Sequence, residues 1–153
     1  MKRLLKILST LIILLTVLNF VRVTPTRMVV GSFACDCANS SCSALYELTN
    51  HSISLDTTTF CKERTFASRV NIKPQNSFPL RDIETYKLKI PLLMLLDPRS
   101  VFGCPDCFDK GAYYLDFTVV GITRHFEYDE NPFYFKNLLQ QTRSKLEQLK
   151  SFE

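Results

Sequence analysis

The stretch Gly111-Ala-Tyr-Tyr-Leu-Asp-Phe-Thr-Val-Val-Gly-Ile-Thr-Arg-His-Phe-Glu-Tyr128 carries the clearest fold signal in this chain of 153 residues. From residue 113 onward, every second side chain up to residue 119 is apolar, so these side chains share one face of a strand. The opposite face carries Tyr114, Asp116 and Thr118. A turn at Val120-Gly121 leads into a second run at 122–128, and the pattern predicts an antiparallel hairpin.

An amphipathic helix is predicted after the hairpin. Asn131 suits the N-cap and Pro132 suits the first helical position. Apolar side chains then recur at steps of three and four residues between Phe135 and Leu149, the spacing of one helix face. We therefore expect an α+β fold. It would be a small antiparallel sheet with a C-terminal amphipathic helix packed on it, preceded by an N-terminal hydrophobic signal or anchor helix.

Three further segments have strand character. Residues 42–48 are compatible with a strand or a short helix, residues 51–56 alternate as a strand does, and residues 66–72 form another predicted strand. The stretch from Leu80 to Leu96 follows no single period, so its structure is left open.

The amino terminus is typical of a targeting segment. Lys2, Arg3 and Lys6 precede an apolar run that extends to Val21, intermediate in length between a signal-peptide core and a spanning helix. The small residues Ser32 and Ala34 fit a signal-peptidase site. We therefore divide the chain into a signal peptide or membrane anchor with a short linker, 1–34, and one exported domain, 35–153. If the leader is retained, residues 4–21 would contact the membrane. The domain would then be membrane-anchored, and otherwise secreted or periplasmic.

The charge distribution argues against nucleic acid as a partner. The net charge is +4, but five of the 19 basic residues and none of the 15 acidic ones lie in residues 1–34. The remaining residues carry 14 basic and 15 acidic side chains, so their net charge is −1. No basic stripe interleaved with aromatic residues remains to bind phosphates.

The cysteines predict disulfides, because an even number in an exported domain is typical of a bridged framework. The pairing is left open. The candidate bridging residues are Cys35, Cys37, Cys42, Cys61, Cys104 and Cys107.

The segment Cys104-Pro-Asp-Cys107 has three interpretations. A thioredoxin-like redox site would place the first cysteine at a helix N-terminus, but a turn and a strand follow here. A zinc knuckle would need a second Cys-x-x-Cys. A structural bridge ahead of the hairpin is favoured over both.

No other catalytic, metal or cofactor site is predicted. The two histidines, His51 and His125, have no Gly-x-Ser-x-Gly elbow to work with. The aspartates Asp106, Asp109 and Asp116 lack the spacing of a calcium loop and are interpreted as solvated turn carboxylates.

The function expected from the sequence is binding. The chain is interpreted as an exported or membrane-tethered small domain, stabilised by disulfides, that acts as a non-enzymatic binding or envelope-associated protein. Tyr114 and Tyr134 are the aromatic residues expected to be exposed, and they could contact a protein or peptide partner. The alternative is an exported thiol–disulfide or metal-handling protein that uses Cys104 and Cys107.

Overall fold

The structure is a computed structural model that describes residues 2–34, 43–57, 70–73, 76–79, 81–105, 111–129 and 136–151. Within these ranges, two α-helices, nine strands and two 3-10 turns follow one another. They are α1 (Lys2–Phe20), β1 (Arg22–Val23), β2 (Arg27–Phe33), β3 (Ser43–Leu48), β4 (Ser52–Asp56), β5 (Asn76–Pro79), a 3-10 turn at Ile83–Thr85, β6 (Ile90–Pro91), a 3-10 turn at Leu92–Leu95, β7 (Val101–Phe102), β8 (Ala112–Val119), β9 (Ile122–Tyr128) and α2 (Lys136–Lys150).

The fold is mostly sheet. Seven strands form one sheet in the order β5-β4-β3-β2-β8-β9-β7, and β1 and β6 form a separate two-stranded sheet. Six of the strands in the large sheet pair antiparallel, whereas β7 pairs parallel with β9, so the sheet is mixed. The prediction of an α+β fold built on a small antiparallel sheet is therefore wrong. The reason is that β2 pairs with β8 of the hairpin on one edge and with β3 on the other. The hairpin and the strands β3, β4 and β5 therefore belong to one large sheet.

β2 occupies the middle of the large sheet. It pairs with β3 on one edge, where Val30 lies opposite Tyr46, and with β8 on the other, where Val30 lies opposite Leu115. Residues 28–30 have no exposed surface. A Cβ on Gly31 would lie 2.2 Å from the carbonyl oxygen of Ala44, so only glycine allows the two backbones this approach.

Both faces of the sheet are covered. On one face Met28, Val30, Leu115 and Phe117 belong to the main core, which also contains side chains of α2 and of the segment 83–94. On the other face Val29, Phe33, Leu45 and Tyr114 form a second cluster with Val70. A strand buried on both faces needs apolar residues at successive positions, which is the composition of Met28-Val29-Val30.

The predicted hairpin is confirmed as β8 and β9, with Val120 (φ 48°) and Gly121 (φ 78°) at the turn. Both central residues have positive φ, as the tight turns of twisted hairpins require. The strand predicted at 51–56 is confirmed as β4, and of the two structures left open for residues 42–48, the strand is observed, as β3. Of the strand predicted at 66–72, only residues 70–72 are described, and they are not in a strand.

The predicted amphipathic helix is confirmed as α2, while its predicted caps, Asn131 and Pro132, lie outside the described residues. Leu146 and Leu149 are buried in the main core. The Tyr128 hydroxyl lies 2.7 Å from Oγ1 of Thr142, which ties β9 to α2. Burial of this phenol raises the pKa of Tyr128 well above its ordinary value.

The prediction that the N-terminal helix spans a membrane is wrong. Among the described helices, none is both long enough and apolar enough to cross a bilayer. In α1 the cations Lys2, Arg3 and Lys6 occupy the first turns. The apolar remainder is about 21 Å long, against a hydrocarbon core of about 30 Å. The interpretations as a signal peptide or a transmembrane segment have no support in the described structure.

The position of β2 predicts where the chain can be shortened. A chain that begins at Val21 retains every strand, and we expect it to unfold cooperatively. A chain that begins at Cys35 lacks β2 and should not fold, because burial of each large apolar side chain contributes about 1.5–3 kcal/mol and a whole domain is stable by only about 5–15 kcal/mol. Thermal unfolding followed by circular dichroism compares the two. A cooperative transition in the chain that begins at Cys35 would contradict this account.

Candidate functional site

A cleft of about 780 Å³ lies between α2 and the segment 84–89, and Arg22 also lines it. Its charged lining is mainly positive, with four cations and one carboxylate. We call it the basic cleft, and its charged residues are Arg22, Glu84, Lys87, Lys89 and Lys145.

Lys87 is a buried cation in this cleft, with a side chain that has no exposed surface. Its Nζ donates hydrogen bonds to Oε1 of Glu84 at 2.8 Å, to Oδ1 of Asn50 at 2.9 Å and to the carbonyl oxygen of Thr26 at 3.3 Å. These three acceptors match the three protons of the ammonium group. Lys87 therefore fixes the segment 84–87 against the start of β2 and the β3–β4 turn.

Lys145 holds the second wall of the cleft. Its Nζ donates to the carbonyl oxygen of Thr85 and, at 3.2 Å, to Oε1 of Gln148, and it lies 5.9 Å from the centre of the Tyr86 ring. Because these contacts join α2 to the segment 83–89, the two walls are held at a defined separation. α2 also presents a row of exposed neutral polar side chains to the cleft: Asn137, Gln140, Gln141 and Ser144.

Arg22 and Lys89 are the exposed cations of the cleft. The two-stranded sheet brings them together, since Arg22 lies opposite Pro91 and Val23 lies opposite Ile90. In the part of the chain that the structure describes, neither cation has an ion-pair partner.

α1 adjoins this region and exposes apolar side chains on every side. The large apolar residues exposed from Leu4 to Phe20 have between 41% and 76% of their surface accessible. Residues 11–15, which span more than one helical turn, are all among them. The helix is tied to the domain at its end, where the backbone N–H of Leu92 donates to the carbonyl oxygen of Val21 at 3.0 Å.

The charged residues inside the sheet serve its structure. Arg27, at the start of β2, donates to Glu47 on β3 at 2.5 Å and to Asp116 on β8 at 2.7 Å. Asp116 is 1% exposed, so its interpretation as a solvated turn carboxylate is wrong. The reason is that the face of β8 carrying Asp116 is covered, and the guanidinium of Arg27 compensates the carboxylate there.

The prediction that Tyr114 is exposed and available to a partner is wrong. Tyr114 has no exposed surface, and its hydroxyl accepts a hydrogen bond at 3.0 Å from the backbone N–H of Val70. The reason is that the second cluster covers the face of β8 that the alternating pattern assigned to solvent. Tyr134 lies outside the described residues.

Cys104 is the only one of the six cysteines among the described residues, and it is disulfide-bonded. Its backbone N–H donates to Oδ2 of Asp129 at 2.9 Å. No bridge joins two described residues, so the described part of the chain gives no support to the predicted framework of six bridged cysteines. The other five, Cys35, Cys37, Cys42, Cys61 and Cys107, lie outside the described ranges.

The described residues contain no group of three or more His, Cys, Asp or Glu side chains placed to hold a metal ion. His51 is exposed in the turn between β3 and β4, and His125 lies on β9 opposite Asp116. Of the pair Cys104 and Cys107, only Cys104 lies among the described residues. The geometry of the described residues therefore does not support the alternative of a thiol–disulfide or metal-handling protein.

The comparisons with known proteins give no relative. The chain matches no family model, no curated protein and no solved structure.

The basic cleft was not predicted from the sequence, and no local signal marks it. Its cations are spread from residue 22 to residue 145, and only the pairing of β1 with β6 and the packing of α2 bring them together.

The burial of Lys87 generates a stability prediction. Replacement of Lys87 by Met leaves the acceptors on Glu84, Asn50 and Thr26 without their donor, so we expect the free energy of unfolding to fall by about 1–3 kcal/mol. Lys89→Met is the matched control, because Lys89 is exposed, and it should change the free energy by less than about 0.5 kcal/mol. Urea unfolding measures both. Equal losses in the two variants would contradict the structural role of Lys87.

Proposed function

We propose that this protein is exported and acts by binding at a lipid surface, with α1 as its lipid contact. The lipid contact is carried by one observation, the exposure of apolar side chains around α1. Such a surface is far more apolar than the surface of a soluble domain usually is, and contiguous patches of this kind mark contact with a partner or a membrane.

The energetic argument rests on the number of exposed side chains. Transfer of a Leu, Ile or Phe side chain from water into an apolar environment contributes about 1.5–3 kcal/mol. Residues 11–15 alone offer five such side chains, and Leu4, Leu5 and Phe20 are still more exposed. A lipid surface accepts this helix without any shape-matched groove, which suits a helix that has no single apolar face.

The charges at the ends of α1 support an anionic lipid surface as the occupant. Lys2, Arg3 and Lys6 lie in its first turns, and Arg22 lies two residues beyond its end at Phe20. Each such cation near an anionic lipid surface contributes about 1 kcal/mol to binding. The proposed contact is with the interfacial region of one leaflet.

A binding role is proposed because the charged residues inside the domain are engaged in its structure. Arg27 joins Glu47 and Asp116 across three strands, and Lys87 joins Glu84 and Asn50. The exposed residues that line the basic cleft offer hydrogen-bond donors, as the residues of a binding surface do.

Vesicle co-sedimentation tests the lipid contact. The full chain should sediment with phosphatidylcholine vesicles that contain phosphatidylglycerol, and the variant Ile12→Asp with Leu14→Asp should stay largely in the supernatant. Its binding should be weakened at least about tenfold, because a carboxylate in the apolar region costs more than 1.4 kcal/mol.

The matched control carries Val120→Asp and Ile122→Asp. These two apolar residues are also exposed, but they lie at the β8–β9 turn, away from α1 in sequence. The control should sediment as the unaltered chain does. If the α1 variant binds vesicles as tightly as the control, or if the unaltered chain remains in solution as a dimer, α1 is not the lipid contact.

Export is tested separately, with reporter enzymes fused after Glu153. A phosphatase that is active only outside the cytoplasm should be active in this fusion, whereas a reporter that is active only in the cytoplasm should be inactive. The reverse pattern would place the domain in the cytoplasm and would refute export while leaving the vesicle result untouched.

A further inference from the structure

Two exposed cations of the basic cleft, Arg22 and Lys89, lie at the two-stranded sheet. Val23 and Ile90 are register partners and both pack into the main core. The residues next to them in the chain, Arg22 and Lys89, are exposed. Arg22 lies opposite Pro91, and Lys89 immediately precedes β6, so both cations lie at this short ladder and line the same cleft.

This arrangement leaves a positive charge that the described part of the domain does not balance. Lys87 is compensated by Glu84 at 2.8 Å, whereas Arg22 and Lys89 have no carboxylate partner in the described part of the chain. Like charges that line one cleft repel each other, and an anion between them relieves the repulsion.

We propose that the basic cleft binds an anionic phosphate ester, with Arg22 and Lys89 as its charged ligands and the polar face of α2 as a source of neutral donors. An arginine fork and a lysine ammonium approach a tetrahedral phosphate from different directions and donate charge-assisted hydrogen bonds to separate oxygens. Gln140, Gln141 and Ser144 reach the same cleft from α2 and add donors that carry no charge.

The size of the cleft indicates a ligand larger than inorganic phosphate. Its volume of about 780 Å³ lies within the range of about 300–1,000 Å³ that small-molecule sites occupy. The rest of an ester would occupy this space beside Leu88 and Thr85, which also line the cleft.

Two sources could supply this chemistry, a phospholipid headgroup or a soluble phosphate ester. Arg22 follows Phe20, the last residue of α1, after a single residue. The cleft therefore lies beside the proposed lipid contact, but binding of a soluble ester would not depend on that contact.

The experiment compares the full chain with Arg22→Gln and Lys89→Gln combined in one variant. The matched control combines Arg81→Gln with Lys150→Gln, which removes the same charge from two exposed residues outside the cleft lining. Glycerol phosphate is titrated by calorimetry, and vesicles of phosphatidylglycerol and of phosphatidylcholine are each assayed by co-sedimentation. The thermal midpoints of both variants establish that they fold.

We expect the cleft variant to bind at least one anionic probe about tenfold more weakly, while the control binds within about twofold of the full chain. Loss at the phosphatidylglycerol vesicles alone assigns the site to a lipid headgroup, and loss with glycerol phosphate alone assigns it to a soluble ester. Loss with both supports a headgroup whose phosphate suffices for recognition. Binding to phosphatidylcholine vesicles, which reports on α1, should not change.

The proposal is overturned if the full chain binds neither anionic probe, or if the control variant loses as much affinity as the cleft variant, since the effect would then be one of diffuse charge. It is equally overturned if succinate binds as tightly as glycerol phosphate, because the site would then not select a phosphate. The last two results leave the proposed lipid contact of α1 standing, because that contact is measured with different variants, whereas a full chain that does not bind phosphatidylglycerol vesicles overturns both proposals.

Discussion

The burial of β2 between β3 and β8 is the constraint on which the rest of the domain depends. With hydrogen-bonded neighbours on both edges and a core on both faces, residues 28–30 have no exposed surface. The close approach at Gly31 brings β3 against β2, and Arg27 compensates a carboxylate on each neighbouring strand. The two halves of the sheet are therefore one unit, because the hairpin reaches β3 to β5 only through β2.

The elements that could be predicted from the sequence are those whose two faces differ in composition. In β8 apolar residues alternate with Tyr114, Asp116 and Thr118, and in α2 the apolar residues recur at helical spacing, although β8 is buried on both faces. β2 shows no period, because its residues 28–30 are apolar on both faces. Its short apolar run lies between Arg27 and Ser32 and follows the apolar leader closely in the chain. The sequence alone therefore assigned these residues to a linker with a cleavage site.

The two faces of β8 show why alternation alone misassigns exposure. The pattern correctly places Tyr114 and Asp116 on the face opposite Leu115. It does not contain the information that a remote segment, residues 70–72, covers part of that face. Tyr114 is therefore buried and has no exposed surface for contact with a partner. Its hydroxyl instead accepts the N–H of Val70, which would otherwise be buried without a partner.

The basic cleft depends on contacts that are still more remote in sequence. Arg22 and Lys89 line one cleft only because β1 pairs with β6, and Lys145 joins them only because α2 packs on the sheet. The same pairing fixes the exit of α1, since Val21 accepts the N–H of Leu92 one residue before the ladder begins. An anion held by Arg22 would therefore be bound beside the short connection, Val21 and Arg22, through which α1 joins the sheet.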